Sequence, residues 1–228
     1  VRAGCITYER TSRAFNKKSG IQSKTDLDAE RLFSKQVIAP WKKLEQLFKP
    51  TNDKKKTSTP KKILSFHLTS TTSTKEVEIE DIPLVEELES EIDFRASTES
   101  AYDGDKLYVY ISDECGKSDQ ANIYIRHSIV KPCMVVNTDI IGKMLYTTTV
   151  EDIGDSDMYE EGNFEKLWDE SDPLKKSNVT KRTTSGLYRY FLPADHALGF
   201  DKWGFPKVEE NRAYLLGERE TMSGSPSA

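Results

Sequence analysis

Leu107-Tyr-Val-Tyr-Ile-Ser-Asp113-Glu114-Cys-Gly-Lys117 is an apolar run that stops abruptly at two carboxylates. Its β-branched and aromatic residues, preceded by the turn signal Tyr102-Asp103-Gly104-Asp105, predict a strand covered on both faces, as in a parallel α/β sheet. In such sheets chemistry sits at the carboxyl ends of strands, which is where Asp113 and Glu114 fall. Beyond Lys117, Ser118 is placed to cap a helix reaching about Val130, with Ile123, Ile125, Ile129 and Val130 as its apolar positions and Lys131-Pro132 as its end. Lys143-Met-Leu-Tyr-Thr-Thr-Thr149 reads as the next parallel strand. Strand, acids, helix and strand therefore alternate as in βαβ units.

An Asp-Glu pair at a strand end has a specific use in nucleotide hydrolysis. The Asp holds the water shell of a Mg²⁺ ion and the Glu polarises the attacking water, the Walker B arrangement. The plain alternative is a solvated strand end, where carboxylates are common. If the two strands are neighbours, the hydroxyls of Thr147, Thr148 and Thr149 sit beside Asp113 and Glu114, able to orient a water or sense a γ-phosphate. Equally, threonine simply favours strands. Gly116-Lys117-Ser118 mimics the end of a phosphate-binding loop, but the glycine required five residues before its Gly-Lys is replaced by Ile111, so no such loop is read here.

The 228 residues allow one full-sized domain with a substantial core, and the net charge of -5 excludes a general polycation for nucleic acid. No apolar run approaches the ~20 residues of a membrane span, and the N-terminus lacks a signal-peptide core, which predicts an intracellular protein. Cys5, Cys115 and Cys133 show no paired spacing, and His67, His127 and His196 are far apart, so neither a disulfide framework nor a structural zinc site is indicated.

The first fifteen residues, through Ile6, Tyr8 and Phe15, predict a helix already under way, and the start at Val1 suggests sequence missing upstream. Ser19 to Thr25 reads as a short strand leaving into a turn, with Thr25 capping a helix rich in early acids, Asp26, Asp28 and Glu30. Leu27, Leu32, Val37, Trp41, Leu44 and Phe48 form its apolar stripe, and Pro40 kinks or divides it. Lys54, Lys55, Lys56, Lys61 and Lys62 surround the start of a strand from Ile63 to Leu68; a solvated hairpin tip and a weak phosphate-backbone contact are both open. Glu76 to Glu91 is an acidic excursion, and Ile92 to Ser97 a further strand. Glu151 to Gly162 is an acidic loop, Asn163 opens a short helix, Lys175 to Thr184 is a basic loop, and Gly186 to Pro193 a strand centred on Arg189. The tail from Ser223 is disordered by composition.

In this order, Ser19 to Thr25, Ala101-Tyr-Asp-Gly104, Tyr110 to Lys117, Val130-Lys-Pro-Cys133, Ile141 to Thr149, Leu167-Trp-Asp-Glu-Ser-Asp-Pro173 and Thr184 to Ala194 resemble the large terminase subunit, the DNA-packaging motor ATPase of tailed bacteriophages. The resemblance covers about Arg2 to Asp201. It implies an additional-strand P-loop NTPase fold that hydrolyses ATP with Mg²⁺ to drive double-stranded DNA into a capsid. Asp113 is then the Mg²⁺-associated acid, Glu114 the catalytic carboxylate, and Thr147 to Thr149 the motif coupling hydrolysis to DNA movement. The same resemblance implies a portal protein and a small terminase subunit as partners, a homo-oligomeric ring, and work in the cytoplasm of a bacterial host. A trans-acting arginine finger is expected, with Arg95, Arg126, Arg182 and Arg189 as candidates.

Two parts of that family pattern are missing from these residues: the G-x-x-x-x-G-K-[ST] loop with its central strand, and the RNase H-like nuclease domain. The expectation is an internal piece: residues 1-200 as a partial ATPase domain, 201-222 as the start of a linker toward the nuclease, and 223-228 as a tail. Such a piece, with an unpaired strand edge, binds ATP weakly or not at all by itself. The alternative is a non-enzymatic prophage remnant that at most binds DNA or a partner protein.

Overall fold

The computed structural model describes residues 3–45, 61–66, 89–118, 121–149, 167, 185–188, 193–196 and 198–222. The chain divides into two units, Val1–Glu151 with Asp155–Lys166, and Asp152–Gly154 with Leu167–Ala228.

The first unit is an α/β layer structure on a mostly parallel five-stranded sheet. Its strands are β1 (Lys18–Gln22), β2 (Ile63–Phe66), β3 (Ser90–Phe94), β4 (Val109–Ser112) and β7 (Lys143–Tyr146), in the order β2-β3-β1-β4-β7. A small separate hairpin pairs β5 (Val135–Val136) with β6 (Asp139–Ile140). β1 runs parallel to β3 and β4, β4 runs parallel to β7, and only β2 is antiparallel, on β3. All four residues of β4 are buried, as its apolar composition demands of a strand covered on both faces. Strand ends differ slightly from the expected ones: β3 starts at Ser90 and stops at Phe94, and β7 stops at Tyr146, leaving the threonines just beyond the sheet.

Cross-strand register explains the two cores. Phe94, Ile21 and Ile111 are aligned across β3, β1 and β4, and Ile21 packs with Ile92, Leu64, Phe66 and residues of α1 (Ala3–Thr11), α2 (Asp26–Phe33) and the turn after it. Asp93, Gly20, Tyr110 and Met144 form the neighbouring row. On that row lie Tyr102 and the helix α4 (Ile123–Cys133), with Val130, Cys133 and Leu107 in one cluster with Tyr110. Tyr102, expected only as part of a turn, is fully buried. Its ring takes the space above Gly20, where a Cβ would stand 2.5 Å from Tyr102 Cζ, and its hydroxyl donates to Asp93 Oδ1 at 2.8 Å and accepts from Ile21 N at 3.0 Å. Lys18 and Arg95 surround the buried Asp93 carboxylate and reach Asp105 as well.

Several helix expectations are corrected. α1 ends at Thr11, and Ile6 and Phe15 are exposed while Tyr8 enters the core. Thr25 caps α2 as expected, accepting from Asp28 N at 3.2 Å. Pro40 divides that helix through a π-helical turn at Ser34–Ile38 leading into α3 (Ala39–Lys43), because proline has no N–H to continue the regular ladder. The wider turn rotates the apolar stripe: Leu32 and Val37 are buried, whereas Leu27 and Leu44 are exposed. The cap of α4 is Asn122, accepting from Ile125 N at 3.0 Å, rather than Ser118, and the helix carries Pro132 in its last turn and ends at Cys133.

The second unit contains α5 (Val208–Met222) and a 3₁₀ turn at Ala194–His196. Asn211 joins them, donating to Asp195 O at 2.7 Å and Gly199 O at 3.0 Å, and Arg212 pairs with Asp195 at 3.0 Å. The predicted helix at Asn163, the loops at 151–162 and 175–184, Phe48, and the tail from Ser223 lie outside the described residues.

Candidate functional site

The site is assembled where β1, β4 and β7 end side by side. Parallel pairing sets Gln22, Ser112 and Tyr146 in one row, so the residues that follow them in the chain meet at one sheet edge. Main-chain bonds extend that alignment past the strands: Asp113 N donates to Gln22 O, Thr147 N to Ser112 O, and Cys115 N to Thr147 O, each at 3.0 Å. The side chains complete it, with Thr147 Oγ1 donating to Asp113 Oδ1. The expected adjacency of the acids and the first threonine is therefore observed.

Asp113 and Glu114 are both half-buried. Glu114 adopts φ 51° and ψ 34°, a left-handed conformation that is uncommon for a residue with an unbranched acidic side chain and is held here against its preference. The chain then enters a 3₁₀ turn, Cys115–Lys117, in which Lys117 N donates to Glu114 O at 3.0 Å and Lys117 Nζ stands 3.9 Å from the Glu114 carboxylate. Cys115 is buried, and burial pushes its thiol up to about 12, so it is a packing residue and not a nucleophile. Thr148 and Thr149 are less engaged: Thr148 Oγ1 donates to Thr149 O at 3.2 Å, and Thr149 is exposed.

Oxygen donors alone line this edge, and among the described residues no group of three or more His, Cys, Asp or Glu side chains forms a metal cage. Both facts suit Mg²⁺, which keeps much of its water shell and needs only one or two carboxylates when phosphate oxygens supply the rest.

Other expected residues are distributed as follows. Lys61 and Lys62 are exposed just before β2, while Lys54, Lys55 and Lys56 lie outside the described residues. Of the arginines, Arg182 and Arg189 also lie outside them, Arg95 is engaged with Asp93 and Asp105, and Arg126 is fully buried. Neither Arg95 nor Arg126 is free to reach another subunit. The residues missed at the sequence level are Ser112, Ser97 and Arg126, which meet beneath the acidic turn. α4 buries Ile123, Arg126, His127, Val130 and Cys133 and exposes Ile125. That face follows the three- and four-residue steps of a helix; counting only apolar residues hides it.

Neither a scan against protein-family models nor a search of curated proteins gives a match to the chain. Among the described residues no helix is long and apolar enough to cross a membrane.

Proposed function

We propose that this chain supplies the hydrolytic edge of an ATP-driven motor of the large-terminase type, which moves double-stranded DNA into a phage capsid. The observation that carries the reading is the hydrogen bond from Thr147 to Asp113, which unites two strand ends whose chemistry is legible separately in the sequence. The α/β sheet with parallel neighbours at that edge is compatible with an additional-strand P-loop NTPase fold.

In this reading Asp113 holds the water shell of Mg²⁺ while the Thr147 hydroxyl fixes the rotamer of its carboxylate. Mg²⁺, when bound, offsets the negative charge of the phosphate oxygens. Glu114 accepts the proton of the attacking water, and its backbone conformation sets where that carboxylate stands. Thr147 belongs both to this contact and to the segment following β7, so it is placed to link hydrolysis to movement, with Thr148 and Thr149 following. The sequence contains no G-x-x-x-x-G-K-[ST] loop, so the phosphate grip comes from another segment or chain. Portal protein, a small terminase subunit, ring assembly and a bacterial host cytoplasm accompany this reading through the resemblance.

The test is Mg²⁺-dependent ATP hydrolysis by the polypeptide joined to a phosphate-binding loop, with and without double-stranded DNA. Stimulation by DNA that is lost in Thr147→Val, while nucleotide still binds, is the expected result. Turnover indifferent to DNA and to Thr147 contradicts the motor assignment.

A further inference from the structure

α4 carries a cation where a helix packed on a sheet ordinarily carries a hydrocarbon. Arg126 is fully buried; its Nη1 donates to Ser112 Oγ at 3.2 Å and its Nη2 to Ser97 O at 2.8 Å. Its Nε, equally shielded from water, has no acceptor. Among the described residues no carboxylate forms an ion pair with it. Two neutral oxygens offset only part of the cost of taking a guanidinium out of water. A methionine or leucine would fill the same place without that cost, so packing alone does not account for this side chain.

Its two acceptors show where the side chain acts. Ser112 is the last residue of β4 and is bonded covalently to Asp113. Ser97 lies in the loop after β3, and that loop is itself fastened twice: Ser97 N donates to Asp26 Oδ1 at 2.5 Å, and Ser97 Oγ donates to Ser23 O at 2.6 Å. Beside it, Gln22 Nε2 donates to Ala96 O at 2.6 Å and to Thr98 O at 2.9 Å. The guanidinium thus spans from the end of β4 to a loop anchored on the end of β1 and the start of α2. Cys115, on the other side of the two acids, also feels the charge of Arg126, which opposes the effect of burial on its thiol.

We infer that Arg126 is a positioning residue for the proposed hydrolysis: by holding Ser112 against the Ser97 loop, it fixes the backbone turn that presents Asp113 and Glu114 to Thr147. The inference rests on the hydrolytic reading above. Arg126 touches neither the nucleotide nor the water and acts through the turn alone. A planar fork satisfies two divergent acceptors at once, which a lysine ammonium does not reproduce with the same geometry.

The experiment uses the complete ATPase, with Ser112→Ala, Arg126→Lys and their combination beside Glu114→Gln, reading kcat, KM for ATP, nucleotide affinity and thermal unfolding. Ser112→Ala removes one acceptor with little risk to folding, and it decides the matter if Arg126→Lys fails to fold. The expected result is a kcat lower by about 10- to 100-fold in each single variant, as for outer-shell partners of other sites. KM and the unfolding midpoint of Ser112→Ala stay near the parent, and the double variant is no slower than Arg126→Lys. Parental kcat in Ser112→Ala and Arg126→Lys while Glu114→Gln is inactive overturns the inference alone. A fall in midpoint that accounts for the whole loss of activity also overturns it. Parental turnover in Glu114→Gln removes the hydrolytic reading and the inference together.

Discussion

Glu114 stands in the left-handed region at φ 51°, where an L-residue bears a steric cost of roughly 1–2 kcal/mol that glycine largely escapes. Glu114→Gly should therefore be more stable than Glu114→Ala by about 1 kcal/mol in denaturant unfolding, since both variants lack the carboxylate and differ mainly in this strain. Equal stabilities would show that the conformation is not held against resistance. At Gly20 the opposite sign is expected. An alanine Cβ there meets the Tyr102 ring at 2.5 Å, and the overpacking should cost about 1–3 kcal/mol in the same measurement. Asp113, Glu114 and Thr147 are legible in the sequence because they close runs whose apolar character is unambiguous. Arg126 and Tyr102 are not, because an arginine counts as surface and a tyrosine before Asp-Gly counts as turn until the packing around them is known.

The elements follow local rules wherever one signal dominates. Thr25 ends an extended segment and is followed by acids, so the N-terminus of α2 is fixed by side-chain capping. Thr25→Ala should lower stability by about 1 kcal/mol, with Thr25→Ser close to the parent, measured by thermal unfolding. Where two signals compete, the sequence is ambiguous. The stripe from Leu27 to Phe48 assumes one continuous helix, and the π-helical turn before Pro40 shifts its phase, leaving Leu27 exposed. On α4 the apolar residues suggest a face including Ile125, whereas the packed face includes Arg126 and His127. His127 reaches the end of β7, its Nδ1 lying 3.2 Å from Tyr146 Oη, so both polar residues of that face bind the strand ends that carry the site.

At the scale of the whole molecule, the order of strand, acidic turn, helix and strand is enough to predict α/β class and parallel pairing of β4 with β7. The position of β1 between β3 and β4, and the antiparallel β2, depend on long-range pairing that no local pattern encodes. Burial of ionisable groups in this sheet has a consequence for pH. Burial raises Tyr8 from 10.0 to about 12 and Cys115 from 9.0 to about 12, and it raises Tyr102, Tyr110 and Tyr146 as well. With folded values above unfolded ones, the unfolded chain loses these protons first. The protein is then unaffected by them below about pH 9 and loses stability progressively as pH rises from about 9 toward 12. Thermal midpoints should fall over that window in step with tyrosinate absorbance; a flat profile would mean that these groups are hydrated.

The central claim is that the acids at the end of β4 perform nucleotide hydrolysis, and Glu114→Gln in the complete ATPase tests it most directly. The variant should bind Mg²⁺-ATP as the parent does and turn over more slowly by on the order of 10²-fold or more, because an amide does not accept the proton of the attacking water. Turnover at the parental rate would contradict it.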